Sequence, residues 1–197
     1  MIDNWKIIKL GDFKYIKGYP FKSKDYKKNG NRVIRVSDIS DNYIKNDNPI
    51  FVSDEIKAKC NNWEVQTGDI VVTTVGSKPP MWDSIVGKPL LIRNEYEGNL
   101  LNQNNVMFKI GDINLAKIIF ENLKTDKYVS FISEIYRGNA NQASITVEEL
   151  TNYNILIPED KSEQKEIADV LTNIDNLIEN LKKLIDKKEK IMLAIME

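Results

Sequence analysis

The side chains best suited to chemistry in this sequence are cations and amides, gathered in a few short segments. Residues 1–37 hold ten Lys/Arg against three acids, a local charge of +7 in a chain whose formal net charge is −1. Lys22, Lys24, Lys27, Lys28, Arg32 and Arg35 form the dense part of that block. Such a block attracts a polyanion, because phosphates are held chiefly by Lys and Arg. Three further segments combine amides or cations with Gly or Ser: Gly76-Ser77-Lys78, Asn102-Gln103-Asn104-Asn105, and Arg137-Gly138-Asn139-Ala140-Asn141-Gln142. Arg and Lys match the paired acceptors of guanine in the major groove, while Asn and Gln match the donor–acceptor pair of adenine. The expected contacts from these segments are Ser77, Lys78, Asn104, Asn105, Arg137, Asn139, Asn141 and Gln142. The last segment ranks first, since it sets Arg, Asn and Gln on a Gly-containing turn ahead of a capped helix. The alternative for each segment is ordinary polar surface.

Catalytic chemistry is poorly supplied. The chain has no histidine and one cysteine, Cys60. It therefore lacks the commonest general base, any Ser-His or Cys-His nucleophile pair, an internal disulfide and a Cys/His metal site. Cys60 is expected to act as a small apolar residue. Neither a G-x-x-x-x-G-K-[ST] phosphate loop nor a G-x-G-x-x-G turn occurs. Glu163-x-Lys165 has the spacing of a nuclease carboxylate–lysine pair, but in the first turn of a helix a solvated ion pair is the expected reading. No stretch approaches the roughly 18 apolar residues of a membrane span, and the N-terminus lacks an apolar signal core. The expectation is a non-catalytic, cytoplasmic protein with no metal or cofactor of its own.

The elements that position these segments are legible from periodicity. Apolar, β-branched runs at 32–36, 49–52, 69–75, 89–92, 106–110 and 154–157 read as strands, separated by turns at Asn29-Gly30, Thr67-Gly68-Asp69, Glu97-Gly98-Asn99 and Gly111-Asp112. Residues 114–135 read as two helices, and Thr146-Val147-Glu148-Glu149 fits a capping box opening a short one. Residues 1–157 are thus expected to form one α+β domain with a mixed sheet. Residues 158–197 are expected to form a separate helical arm.

After Pro158 there is no Gly or Pro. Ile167, Leu171, Ile174, Ile178, Leu181, Ile185, Lys188, Met192 and Ile195 alternate steps of four and three, and eight of the nine are apolar. Val170, Leu177, Leu184 and Ile191 add a second stripe every seven residues. This is heptad spacing with a widened apolar face. A helix of roughly 34 residues would be about 50 Å long, more than the diameter of the domain before it. It should project and take a partner helix in an intermolecular coiled coil, with Ile167, Leu171, Ile174, Ile178, Leu181, Ile185 and Met192 as dimerisation residues.

Several motifs in this order resemble the specificity subunit of type I restriction–modification systems. Trp5-x-x-x-x-Leu10-Gly11, Gly18-Tyr19-Pro20-Phe21-Lys22-Ser23 and Tyr26 are similar to the opening of that family's target-recognition domain. Arg35-Val36-Ser37-Asp38-Ile39, Gly68-Asp69-Ile70-Val71-Val72-Thr73 with Gly76-Ser77, and Asn102-Gln103-Asn104 follow it. Gly138, Gln142, Ile145-Thr146 and Leu150 lead to Ile155-Leu156-Ile157-Pro158. The most specific element is what comes next: Glu163-Gln164-Lys165-x-Ile167-Ala168-x-x-Leu171-x-x-Ile174-Asp175. Members usually carry two recognition domains and two spacer helices; one of each is present here, as in a half-length form.

The resemblance implies a DNA-recognition subunit that docks methyltransferase subunits, with restriction or translocase subunits as further partners. S-adenosylmethionine, and ATP with magnesium, would then sit on those partners. Consistent with this, Ser77-Lys78-Pro79-Pro80-Met81 lacks the flanking residues of the methyltransferase Asn/Asp-Pro-Pro-aromatic tetrapeptide. Two such chains joined as a homodimer by antiparallel arms would read two half-sites of double-stranded DNA about 14 bp apart. The competing reading is a coiled-coil structural adaptor whose head binds protein.

Overall fold

The computed structural model describes residues 4–77, 86–139 and 142–196. In chain order the strands are β1 (Trp5–Lys9), β2 (Lys14–Lys17), β3 (Asn31–Ile34), β4 (Ile50–Val52), β5 (Ile70–Thr73), β6 (Val75–Gly76), β7 (Pro89–Leu91), β8 (Leu100–Leu101), β9 (Asn105–Lys109), β10 (Arg137–Asn139), β11 (Gln142–Ser144) and β12 (Asn154–Pro158). The helices are α1 (Asp54–Lys59), α2 (Ile113–Asn122), α3 (Asp126–Ile135), α4 (Val147–Thr151) and α5 (Lys161–Met196).

The near-continuous apolar runs in β5 and β9 make the centre of the head, because a strand buried on both faces needs no polar alternation. They pair antiparallel with Val71 opposite Met107, inside a four-stranded sheet of order β2-β9-β5-β7. Side chains alternate from there. Ile70, Val72, Val106 and Phe108 face a core built with α2, α3 and β12. Val71, Met107 and Leu90 face the opposite one, with Ile34, Ile39 and Leu101. A second sheet, β4-β3-β8, is mixed: β3 runs antiparallel to β4 and parallel to β8. It carries a third core of Val33, Val52, Leu100, Phe21 and Cys60. The head is thus α+β with sheets of mixed orientation, and Cys60 is a buried packing residue whose thiol burial pushes up above its ordinary pKa.

The apolar run at 69–75 divides in two. β5 ends at Thr73, and after Thr74 the chain joins a different sheet of order β10-β11-β6. Thr74 serves both neighbours: its N–H donates to the Asn104 carbonyl at 2.8 Å, and its carbonyl accepts from Ile145 N–H at 3.0 Å. The predicted strand 32–36 likewise stops at Ile34. Asp38 accepts from the Arg35 backbone N–H at 2.8 Å and draws 36–38 into a helical turn.

The expected helices at 114–135 are α2 and α3. Asp112 caps the first by accepting from the backbone of Asn114 and Leu115, and Thr125 caps the second. Thr146 caps α4, accepting from Glu149 N–H at 3.1 Å. The Glu149 carboxylate in turn reaches back to Thr146, taking its hydroxyl at 2.6 Å.

β1 and β12 form a ribbon with Trp5 opposite Pro158, which brings the N-terminal strand to the foot of α5. At 36 residues α5 is about 54 Å long. Its first turns belong to the head. Gln164 Nε2 donates to the Pro158 carbonyl at 2.8 Å, Trp5 Nε1 donates to Glu163 at 3.1 Å, and Ala168 is buried. Ile167 and Leu171 pack against the core formed by α2 and β12. Of the expected dimerisation residues, these two thus pack against their own head. Beyond that joint Ile174, Ile178, Leu181, Ile185 and Met192 stay between 45% and 62% exposed, and Ile195 reaches 78%. Among the described residues, no helix is long and apolar enough to cross a membrane.

Candidate nucleic-acid interface

Three segments far apart in sequence line one open depression on the head. They are the 21–26 stretch of the basic block, Gly76-Ser77 and Asn102–Asn104, with Arg35 and Ser37 between them. Topology explains the meeting. Gly18 N–H donates to the Asn105 carbonyl at 2.9 Å and Tyr19 N–H to the Leu101 carbonyl at 2.8 Å, which lays the start of the basic segment along the 101–105 turn. Thr74 ties the same turn to β6. The fourth segment joins through the sheet: Ala143 of β11 pairs with Gly76. Within the expected flexible turn 137–142, the described residues belong to two antiparallel strands, β10 and β11, and β11 pairs with β6 beside Ser77. Gly138, at φ +106°, lies so close to the Gln142 carbonyl that a Cβ would stand 2.3 Å from its oxygen.

The cations divide into two kinds. Lys22, Lys24, Lys27 and Lys28 are exposed, and among the described residues none has an ion-pair partner. They remain free for phosphates. The arginines are held by the protein itself. Arg35 grips the buried Asp38 through Nε at 3.1 Å and Nη2 at 2.7 Å, and Nη2 also donates to the Asn48 carbonyl. That carboxylate raises the already high pKa of the guanidinium. Arg32 donates to the Asn46 side chain and the Lys45 carbonyl. Both residues brace the 38–48 loop through these bonds, so part of each planar fork is already committed within the protein. Arg137 pairs with Glu149 at 2.5 Å but is 69% exposed, so donors remain available. Glu149 is held below its ordinary carboxylate pKa, first by the Thr146 hydroxyl and then by Arg137.

The amides divide similarly. Asn105 is fully buried, and its Nδ2 donates to the Ile34 carbonyl at 3.2 Å. It is corrected from a base contact to a structural residue. Asn104 is half-buried and lines the depression, Ser77 lies in the wall and is largely covered, and Gln142 is exposed. Lys78 and Asn141 lie outside the described residues, and Asn139 enters only through its backbone pairing with Gln142. The aromatic residues of the segment are packing groups. Phe21 is buried, and Tyr19 stacks edge-on against it at 5.0 Å and against Trp63 at 4.8 Å.

The basic block is not one face. Lys6 and Lys9 lie on β1, paired with β12, while Lys14 and Lys17 lie on β2 at the edge of the central sheet. Of the block, the stretch 21–26 and Arg35 line the depression, and Lys22 and Lys24 flank the lining residues Ser23 and Tyr26 in sequence. Net charge by segment could not show this, because the chain leaves one sheet for another within a few residues.

The sequence matches the family model described as the type I restriction modification DNA specificity domain over residues 2–190. The chain belongs to this family. No curated protein gives a significant match. Among solved structures, this specificity-domain chain is similar to the S subunit of a type I restriction-modification system from M. genitalium, with 20% identity and a TM-score of 0.63 over 95% of this chain and 43% of that one. It is similar to a chain solved in a study of complex assembly and conformational transition of the type I R-M system, at 17% identity and TM-score 0.64, over 96% and 43%. The HsdS subunit from Thermoanaerobacter tengcongensis matches at 17% identity and TM-score 0.58, over 93% and 40%. The chain spans about two fifths of the length of these proteins. At such identities the likeness is one of fold.

The family signature in α5 now has a physical content that spacing did not supply. Glu163 receives Trp5, Gln164 holds Pro158, Ile167 and Leu171 enter the core, and Ala168 is buried beside α2. Asp175 takes Lys117 of α2. The motif is the joint between head and arm. Lys117 carried no signal in the sequence, since a lone lysine in an apolar helix reads as surface.

Proposed function

We propose that this chain is a non-catalytic DNA-recognition subunit of a type I restriction–modification complex. One observation carries the reading: Ser, Asn, Gln and Arg side chains from sequence-distant segments line one depression beside the paired strands β10 and β11, and the segment that supplies Ser23 and Tyr26 also carries Lys22 and Lys24, exposed and, among the described residues, without acidic partners. Free lysines supply a sequence-independent phosphate term, and fixed amides supply base discrimination.

The exposed stripe from Ile174 to Ile195 supports a homodimer joined by the arms. Charge along α5 favours an antiparallel pair. Residues 161–180 hold five acids and two lysines, whereas 181–196 hold five lysines and two acids. Antiparallel apposition sets unlike halves together, and parallel apposition sets like against like. Two heads at opposite ends of such a rod read a bipartite double-stranded site. Methyltransferase subunits, and restriction or translocase subunits with them, dock on the same rod. They bring S-adenosylmethionine and ATP with magnesium.

Salt titration of binding to random duplex DNA tests the reading. Affinity should fall steeply as salt rises, with a slope set by the number of lysine–phosphate contacts. Binding that ignores salt removes the electrostatic basis and leaves the protein-binding adaptor in its place.

A further inference from the structure

We propose that Gln103 is a base-reading side chain of the head and that the base it selects is adenine. The inference rests on the DNA-recognition reading above and names one contact within it.

Residues 102–105 are four consecutive amides, of which the sequence reading takes Asn104 and Asn105 as the contacts. Asn105 is buried and bonded to Ile34. Asn102 is buried, and its Oδ1 accepts the Asn104 N–H at 3.3 Å. Asn104 is half-buried. Gln103 alone is exposed, at the edge of the depression, and among the described residues its side-chain amide has no hydrogen-bond partner.

Its backbone, by contrast, is fixed from three sides. Gln103 N–H donates to the Tyr19 carbonyl at 3.0 Å, Asn102 N–H to the Ile34 carbonyl at 3.1 Å, and the Asn104 carbonyl accepts from Thr74 N–H at 2.8 Å. Gly18 allows the closest approach: a Cβ there would stand 2.0 Å from the Asn102 carbonyl oxygen. A free amide on an immobile turn is what base reading requires, because the contact must be held to about half an ångström.

The chemistry of the group selects the base. A carboxamide presents one donor and one acceptor side by side. In the major groove adenine offers N6–H and N7 as their complement, whereas guanine offers two acceptors and leaves the amide oxygen unpaired. Ser23 and Tyr26, on the lysine-bearing segment, share the depression with Gln103, so phosphate contacts from Lys22 and Lys24 can fix the register in which Gln103 meets the groove.

The test is selection of the full chain on a random-centre duplex library, followed by sequencing. The wild type should enrich adenine at one position. Gln103→Ala should weaken that preference by roughly tenfold or more, leaving the other positions and affinity for random duplex unchanged. Gln103→Arg should move the preference at that position towards guanine. A Gln103→Ala protein that still enriches the same adenine, or loses every position equally, overturns the inference alone. A wild-type chain that enriches no sequence overturns the recognition reading beneath it. Because the side chain is exposed and unbonded, both variants should melt as the wild type does.

Discussion

Lys117 of α2 and Asp175 of α5, 58 residues apart, meet as an ion pair 2.5 Å long where the arm leaves the head. The lysine side chain is only 8% exposed, and its other partner is Glu121 at 2.8 Å. A covered ammonium is tolerable only while its carboxylates stay in place, and breaking such a pair costs more than the pair contributes. Asp175→Ala should therefore destabilise the protein by about 2 kcal/mol, discounted because the carboxylate keeps some contact with water. Urea denaturation checks the magnitude. Hydrogen exchange should show faster opening around residues 171–179 while the central strands stay protected.

Gln164 makes a second prediction at the same joint. Its amide is buried, and Nε2 holds the Pro158 carbonyl at the end of β12. Gln164→Ala leaves that carbonyl without a partner and should cost about 1–2 kcal/mol. Gln164→Glu should cost more, since a carboxylate facing a carbonyl must ionise unfavourably or take up a proton. Chemical denaturation of the two variants checks the order; equal midpoints would show that water replaces the amide.

How far the sequence reached depends on what each element needs. β5, β9 and β12 are apolar throughout or on alternate residues, and α2, α3 and α5 show helical periodicity, so all six could be read from pattern. β1 and β2 were missed because lysines interrupt them: Lys6 and Lys9 in one, Lys14 and Lys17 in the other. Each becomes a strand through its partner, β12 or β9. β10 and β11 hold no β-branched residue, and only pairing with Gly76 and Val75 gives them an edge to lie on. At the candidate interface, residue type was legible and direction was not. Arg35 and Asn105 have the right groups for DNA, yet Asp38 engages the guanidinium of the first and the Ile34 carbonyl holds the amide of the second inside the fold. That outcome depends on contacts across 3 residues in one case and 71 in the other, and only the second was out of reach of local spacing.

Acid should loosen the same joint through Asp112. Its carboxylate takes Lys161 at 2.8 Å and caps α2 through the backbone of Asn114 and Leu115. The Lys161 hydrogen bond first, and the capping N–H groups next, hold its pKa below the ordinary value of 3.8. A folded-state pKa below the unfolded one gives stability that is complete above 3.8 and lost as pH falls through the lower folded value. Asp69 works in the opposite sense, because burial, only partly offset by Lys109, raises its pKa. The acid response of the wild type is therefore a difference, and the variant isolates one side of it. Asp112→Asn keeps a capping oxygen but no titrating charge, so its stability should fall less than that of the wild type between about pH 5 and pH 3. Urea midpoints at the two pH values check this, and parallel losses in both proteins would place the acid sensitivity elsewhere.

The arm gives the last prediction, and the structure changes which residues it concerns. Leu171 packs against the head, so Leu171→Glu should act as a core lesion, costing about 2–5 kcal/mol and lowering the melting temperature. Ile178, Leu181 and Ile185 are each about half exposed. Replacing all three with Glu should leave the melting of the head unchanged and halve the mass seen by light scattering, because the charges would face each other across the proposed helix pair. The two outcomes must separate. A triple variant that keeps the dimer mass puts the self-contact somewhere other than this stripe, and one that melts early shows that the stripe lies on its own head. Only the combination of halved mass and intact head fits an arm whose first turns belong to its own domain and whose outer turns belong to a partner.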